Sequence, residues 1–588
     1  MKISEALQII TSAPPEAPPF RLWLACGFTP LHLQTLLTAH VQELRPDRKV
    51  EIQAGLFGDL AGTLRRAATE STHAVAVPIE WTDLDPRLGY RNLGGWGTAE
   101  EADIPIHVHA TLRTLDRLLT DIAERQPVIV SMPTLPLPPA FHTAAVQVAE
   151  AQSAISREVC DFQRRIAANP NIRMVNSQLL DIDSPTGARF DLKSDLLTGF
   201  PYSLSHTSCL ARKLAQLIVP ATPRKGLITD LDDTLWRGIV GDAGAEAVYW
   251  DLTSHSQLHG LYQQTLRALA DQGVLIAVAS RNAPAAVEQA FARTDIILTK
   301  DRIFPMEIHW NAKSGSVTQV LRKWNIASDS VVFIDDSPME LAEVKQAHPD
   351  VECILFPKDD YRGFEAFLRR LRDLFGKPHL STEDANRRES LRQAYGFNEE
   401  LASVDAPDAF LLSLQASVAV HTDAGSDPRS LELINKTNQF NLNGRRLDAG
   451  EWQAAMRQPG HFAWSISYRD KFGELGKIAV IHGHRPDDGK TNRVALDSWV
   501  MSCRAFARRI EHQSVKLLFD ATGADEIALR FQPTAKNGPC AEFVAAFADA
   551  EADGSWILKR ETFAARCPAL FHLVETPYDT VPTTFSQL

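Results

Sequence analysis

The chain has 588 residues, a formal net charge of −12, and 44% hydrophobic and 23% charged residues. That length suggests three or four domains, and the composition is globular rather than that of a disordered tail. The acidic balance argues against a nucleic-acid-binding surface.

The first region, residues 1–220, alternates short apolar runs with longer amphipathic ones. Arg21–Cys26, Lys49–Phe57, His73–Pro78, Pro127–Ser131 and Ile172–Val175 read as strands. Thr29–Glu43, Val108–Arg125 and Pro139–Ala168 read as helices between them, the β-α alternation of an open parallel sheet. Val219–Arg224, with Pro220 and Pro223, reads as a linker.

The second region, residues 221–380, opens with the apolar stretch Gly226–Thr229, which runs into Asp230-Leu231-Asp232-Asp233-Thr234. Two acids separated by one residue point the same way if the strand continues. At the mouth of a parallel sheet they would meet at one point. Such a pair repels unless a proton or cation intervenes, and Mg²⁺ is the natural occupant. One carboxylate can then attack a phosphoryl group while the other handles protons. From the pentad alone, an acidic loop that binds nothing is the alternative. Downstream, the strand Val274–Ala279 ends in Ser280-Arg281-Asn282; Trp310-Asn311-Ala312-Lys313 follows, and Val331–Ile334 opens into Asp335-Asp336-Ser337-Pro338.

Acid pair, hydroxyl, lysine and second acid pair, in that order, resemble the haloacid-dehalogenase-type (HAD) phosphotransferases. The resemblance implies a Rossmann-like core in which Asp230 is the nucleophile, forming an aspartyl-phosphate, and Asp232 the general acid and then base. It implies that Thr234 orients Asp232, that Ser280 bonds the phosphoryl oxygens, and that Lys313 offsets charge. Asp335 and Asp336 would complete a Mg²⁺ shell with Asp230 and the backbone carbonyl of Asp232. About fifty residues separate Asp230 from Ser280, too few for a separate cap domain. An open site is therefore expected, its substrate either large or covered by another part of the chain.

Charged helical sequence, Glu383–Glu399, and the boundary Leu401–Asp408 form an expected linker over 381–408, and the third region spans 409–588. It carries Asn435-Lys436-Thr437-Asn438-Gln439-Phe440-Asn441-Leu442, whose amides either fold a loop on its own backbone or bind a ligand. Arg469–Gly473, the strand Lys477–His482 and Leu496–Arg504 follow, the last turning into an expected helix Arg504–His512. This α+β region resembles GNAT-type acyltransferases, where that turn presents backbone N–H groups to the pyrophosphate of coenzyme A. Arg504, Ala507 and Arg509 stand where the family pattern has Arg or Gln, Gly, then Gly or Ala, so the turn departs from it. Thr534–Pro539 resembles the late loop of the same fold.

Together the three regions resemble the FkbH-like proteins, a phosphatase-like HAD subfamily (IIIC) of polyketide pathways. The carrying residues are Asp230–Trp236 with Gly238 and Gly241, Trp310-Asn311 with Lys313, Ile334–Pro338, Asn435–Leu442 and Ser502–Arg504. The resemblance implies Mg²⁺-dependent removal of phosphate from D-1,3-bisphosphoglycerate, a small phosphorylated acid. The glyceryl group would be loaded on the phosphopantetheine thiol of an acyl carrier protein. Asn435, Asn438, Asn441 and Arg504 would contact substrate or carrier. Where family members often carry cysteines this chain has Gly226 and Ala279, which leaves Cys503 as the candidate acyl thiol, a residue type favoured as thiolate near a helix start. The N-terminal region resembles an SGNH-hydrolase-like domain. It offers Gly27-Phe28-Thr29 in place of Gly-Asp-Ser, and no acid beside Ser205-His206, so a docking or scaffolding role and a structural His206 are expected. A plain Mg²⁺-dependent phosphatase of a small or carrier-bound ester, and a silent carrier-docking protein, are the alternatives; the intact acids speak against the latter.

Seven cysteines without a CxxC pair suit a reducing compartment. No signal peptide or membrane-spanning apolar run is found. A soluble, cytoplasmic protein without nucleic-acid or membrane partners is expected.

Overall fold

The computed structural model describes residues 1–377, 380, 382–402, 406–486, 492–551 and 554–575. The chain divides into two compact units, Met1–Ala221 with Asp448–Glu451, and Thr222–Leu447 with Trp452–Leu588.

In the first unit the strands are β1 (Pro19–Leu24), β2 (Lys49–Ala54), β3 (Ala74–Pro78), β4 (Val128–Ser131) and β5 (Ile172–Met174). They form one parallel sheet in the order β2-β1-β3-β4-β5. Alternate residues of β1 enter different cores, as a doubly covered sheet requires: Leu22 and Leu24 pack on one face and Trp23 on the other. The helix expected from Pro139 begins only at Glu150. Residues 140–149 form bends and turns instead. His206 is fully buried, with its ring nitrogens 3.0 Å from the hydroxyls of Thr134 and Ser184. Burial pushes its pKa down to about 3, so it is held neutral as a packing residue.

In the second unit β6 (Gly226–Thr229), β7 (Leu275–Ser280), β8 (Ile303–Ile308), β9 (Val331–Asp335) and β10 (Glu352–Leu355) form a second parallel sheet in the order β10-β9-β6-β7-β8. The apolar run Leu227-Ile228 is fully buried between its two faces. Between β6 and β7 the main element is the helix Gln257–Asp271, and no cap domain intervenes.

The same unit contains β11 (Ser417–His421), β12 (Phe440–Asn441), β13 (His461–Asp470), β14 (Gly473–His484), β15 (Arg493–Met501), β16 (Glu526–Leu529), β17 (Asp549–Ala550), β18 (Trp556–Lys559) and β19 (Leu573–Glu575). These build a mixed sheet in the order β17-β18-β16-β15-β14-β13-β11-β19, with β12 paired to β15. The regions that the sequence separates at 381–408 thus lie in one compact unit. The helix Thr382–Ala402 joins them, and residues 403–405 of the expected boundary lie outside the described residues. The helix expected at Arg504–His512 instead begins at Ile510, after a short turn at Cys503–Ala505. Ala507 and Arg509 have φ of 63° and 58°, left-handed conformations that keep the chain out of the helix until Ile510. No described helix is long and apolar enough to cross a membrane.

Candidate functional site

Strand register brings the acids together. Thr229 of β6 pairs with Ile334 of β9, so the following residues, Asp230 and Asp335, leave the sheet side by side. Asp335 is fully buried and Asp230 is 5% exposed. Two adjacent carboxylates in such a place repel strongly. Lys313, the first residue of the helix Lys313–Trp324, inserts its ammonium between them, 2.9 Å from Asp230 Oδ1 and 2.6 Å from Asp335 Oδ2.

Asp336 completes the group. Oxygens of Asp230, Asp335 and Asp336 lie within 4.8 Å of one another. Asp336 is positioned from outside by Lys358, whose Nζ lies 2.8 Å from its Oδ2 and 3.1 Å from Asp233 Oδ2. The donor set is all oxygen and carries more negative charge than Lys313 offsets, which fits a hard divalent cation such as Mg²⁺. Burial pushes the Asp230 pKa up to about 7, with Lys313 opposing and Asp335 reinforcing the shift. Burial works against the Lys313 ammonium too, but Asp230 and Asp335 outweigh it and hold its pKa above the ordinary value.

Asp232 does not join this group. The chain turns at Asp233, which has φ 51°, and the strand does not continue. Asp232 Oδ1 accepts hydrogen bonds from Trp236 Nε1 at 2.8 Å and from the Val240 amide at 3.1 Å, and its Oδ2 accepts one from Asn282 Nδ2 at 2.8 Å. The same Asn282 amide reaches Ser280 Oγ at 3.3 Å, linking the ends of β6 and β7. The expected orienting role of Thr234 is therefore corrected: its hydroxyl lies 3.5 Å from Asp336 Oδ1, and Trp236 and Asn282 orient Asp232. Sequence reasoning assigned no role to Asn282, Trp236 or Lys358. Only Asn282 left a signal, two residues past Ser280 and so on the same side of an extended chain.

The C-terminal candidates separate into two kinds. Asn435 exchanges hydrogen bonds with the backbone of Leu447, and Asn441 with Thr437, Asn443 and Gly444. Both fold their own loop, and no ligand role is needed to explain them. Asn438, Cys503 and Arg504 instead line a cavity of about 360 Å³ together with Lys225, Asn325 and Lys436. Lys225 precedes β6 and Asn325 ends the helix that Lys313 begins, so this cavity lies at the opposite end of the core sheet from the acids. The span from Lys225 to Asp230 is five extended residues, or about 16 Å.

Cys503 Sγ donates to the carbonyl of Asn325 at 3.3 Å. Burial raises its pKa despite Arg504 and Lys225 nearby, so the thiol is not poised as a thiolate, contrary to the sequence expectation. Six cationic side chains and one carboxylate, Asp350, line the cavity. Lys225 is pushed down to about 8 by burial, with Arg387 adding to the effect.

No family model matches the chain, and no curated protein matches it. Among solved structures, the N-terminal part of the protein BF1531 from Bacteroides fragilis contains a phosphatase domain and was crystallised in complex with Mg. It matches with a TM-score of 0.50 at 20% identity, covering 64% of this chain and 100% of that one. That likeness shows the fold. A GCN5-related glucosamine N-acetyltransferase region of a fungal multi-domain GH3 β-N-acetylglucosaminidase matches at 10% identity, over 94% of this chain and 64% of that chain. Its TM-score of 0.15 carries no argument.

The raised Asp230 pKa fixes a sign. In metal-free protein the group contributes stability that is complete below its ordinary value of 3.8 and is lost as the pH rises through about 7. A cation must displace that proton at low pH and meets a carboxylate at high pH. Calorimetric melting should therefore show a larger Mg²⁺-induced rise at pH 8 than at pH 5. An equal rise at both, or one retained in Asp335→Asn, would contradict the assignment.

Proposed function

We propose that this chain is a Mg²⁺-dependent HAD-type enzyme that takes phosphate from D-1,3-bisphosphoglycerate and delivers the glyceryl group to the phosphopantetheine thiol of an acyl carrier protein. The observation that carries the phosphoryl half is the Lys313 bridge between Asp230 and Asp335, with Asp336 beside it. The FkbH-like motifs support the carrier half. The match to a phosphatase domain crystallised with Mg supports the coarser reading of a Mg²⁺-dependent phosphatase. We also read the mixed sheet as GNAT-like and the N-terminal sheet as SGNH-like; the parallel order of the latter and its packing histidine support a scaffold.

The residues divide the work. Asp230 attacks the phosphorus of the 3-phosphate, and the departing alkoxide takes its proton from Asp232. The aspartyl-phosphate so formed is opened by water, whose proton goes back to Asp232. Ser280 donates to a phosphoryl oxygen, and Lys313 offsets the charge that builds there. Mg²⁺, held by Asp230, Asp335 and Asp336, supplies further neutralisation of the phosphoryl oxygens. At the other end of the substrate, the carrier sulfur attacks the acyl carbon. The bond from that carbon to the phosphate oxygen breaks, and inorganic phosphate leaves with the electron pair and takes up the proton given up by the thiol. Two phosphates are thus released for each glyceryl thioester formed.

Geometry favours direct attack by the carrier thiol at the open acid site over a relay through Cys503. It also favours a second reading, a phosphatase whose C-terminal cavity only binds, because that cavity opens at the far end of the core sheet.

Mass spectrometry of a phosphopantetheinylated carrier, incubated with enzyme, Mg²⁺ and bisphosphoglycerate, separates the readings. A glyceryl mass shift with two phosphates released is expected, and Cys503→Ala should retain it. Phosphate release without the shift selects the second reading, and a shift lost in Cys503→Ala restores the relay. Asp230→Asn, similar in shape but not nucleophilic, should abolish release from the 3-position.

Positioning can be tested on p-nitrophenyl phosphate as a probe ester. Asn282→Ala should lower kcat about 10- to 100-fold by loosening the general acid. Thr234→Val should instead raise the Mg²⁺ concentration needed for half-maximal rate. If Thr234→Val carried the kcat loss and Asn282→Ala none, the revised roles would be wrong.

A further inference from the structure

The C-terminal sheet holds a second group of potential metal ligands that the proposed reaction does not use. His461 opens β13 and His484 closes β14, and the two are directly opposite in the antiparallel ladder. Directly opposed residues share a face, and here the rings stack with centroids 4.9 Å apart and planes 17° apart. Asp497 comes from the next strand. In the β14–β15 ladder His482 pairs with Ser498 and Gly483 with Leu496, so Asp497 is the extra residue of a bulge. Bulges re-aim the side chain of the unpaired residue. Asp497 Oδ2 lies 2.7 Å from His484 Nδ1.

One ligand atom from each of His461, His484 and Asp497 lies within 4.8 Å of the other two. Atoms bound tetrahedrally at 2.0–2.2 Å to one ion stand about 3.4 Å apart, so closing draws any two of these atoms together by at most about 1.4 Å. The surroundings are those of a buttressed ligand set. Arg530 holds the other oxygen of Asp497 at 2.9 Å. His482 approaches His461 Nδ1 with its Nε2 at 3.3 Å and packs against Trp452. It is 4% exposed, and its Nδ1 has no hydrogen-bond partner among the described residues.

A simple His–Asp ion pair accounts for less of this. Arg530 already partners Asp497, and a second and third imidazole crowd the same point. Two imidazole nitrogens and one carboxylate oxygen suit borderline transition ions rather than Mg²⁺, and three protein ligands leave a coordination position open.

We propose that His461, His484 and Asp497 form a binding site for a divalent transition-metal ion of the Zn²⁺ class, which ties β13, β14 and β15 together. Its donors and its sheet both differ from those of the Asp230 cluster.

The test uses untagged full-length protein, stripped with chelator and equilibrated with Zn²⁺ in an excess of Mg²⁺. Elemental analysis should find one zinc per chain, and the melting temperature should rise with zinc. The double substitution His461→Ala/His484→Ala should lose that zinc while Mg²⁺-dependent phosphate release continues. Zinc well below one per chain in the unsubstituted protein would overturn the proposal, and so would full zinc retention by the double variant, which would point to cysteines instead. Should the variant not fold, Co²⁺ added to the unsubstituted chain gives the decision. Visible ligand-field bands that saturate at one equivalent and vanish on adding Zn²⁺ support the site, and their absence overturns it.

Discussion

One ammonium shared by two buried carboxylates is the constraint on which the core is arranged. β6 and β9 are adjacent parallel strands, and their register leaves Asp230 and Asp335 side by side at the same edge. Without Lys313 that juxtaposition would place two like charges in a nearly solvent-free position, and at least one would have to take up a proton. Lys313 lowers the cost but does not remove it, because Asp336 adds a third carboxylate to the group. The residual charge is what makes the edge of the sheet a cation site rather than a closed ion pair. Lys358 then draws Asp336 and Asp233 together from outside the group, so the loop after β6 and the loop after β9 are fixed to each other.

The same arrangement explains how two acids two residues apart do different work. Asp230 remains within the charged group, while Asp232 turns away and is surrounded by three N–H donors from Trp236, Val240 and Asn282. These donors hold and aim the carboxylate away from the Lys313 ammonium, the arrangement on which its proposed acid–base role rests. The division follows from environment rather than from residue type.

Which parts of this could be read in the sequence follows from how local each cause is. An apolar run that ends in acids already implies a buried strand delivering carboxylates to a sheet edge, and three such runs in order imply that the edges coincide. The members of the cluster were therefore accessible, and what was not accessible is the course of the chain between Asp230 and Asp232. The sequence argument supposed that the strand continued past Asp230, which would have put Asp232 beside it. The left-handed turn at Asp233 breaks that alternation and takes the Asp232 carboxylate away from the group, while Asp336, already expected in the shell, stands beside Asp230 and Asp335. Turn conformation at a single aspartate is not encoded in hydrophobic periodicity. Lys358 was hidden because it acts through tertiary approach of a distant loop, and Trp236 because its contact with Asp232 depends on that same local turn.

The largest departure concerns distance, which motifs do not carry. Asn435, Asn438, Asn441 and Arg504 were expected to contact substrate or carrier, and no motif states how far from the acids they lie. The contacts that join the mixed sheet to the core fall elsewhere: Gln439 and Cys503 on Asn325, and Lys536 on Asp329, all at the end where the core strands begin. A parallel sheet has two chemically different edges, and active carboxylates collect where strands end. An element docked on the other edge can bind a ligand or hold a partner, but its side chains cannot reach the reacting atoms across the length of β6. For that reason the cationic cavity around Lys225 and Cys503 stands apart from the strand-end edge that carries Asp230, Ser280 and Asp335. The raised pKa of Cys503 agrees with this division, because burial disfavours the thiolate that an acyl-accepting nucleophile would need.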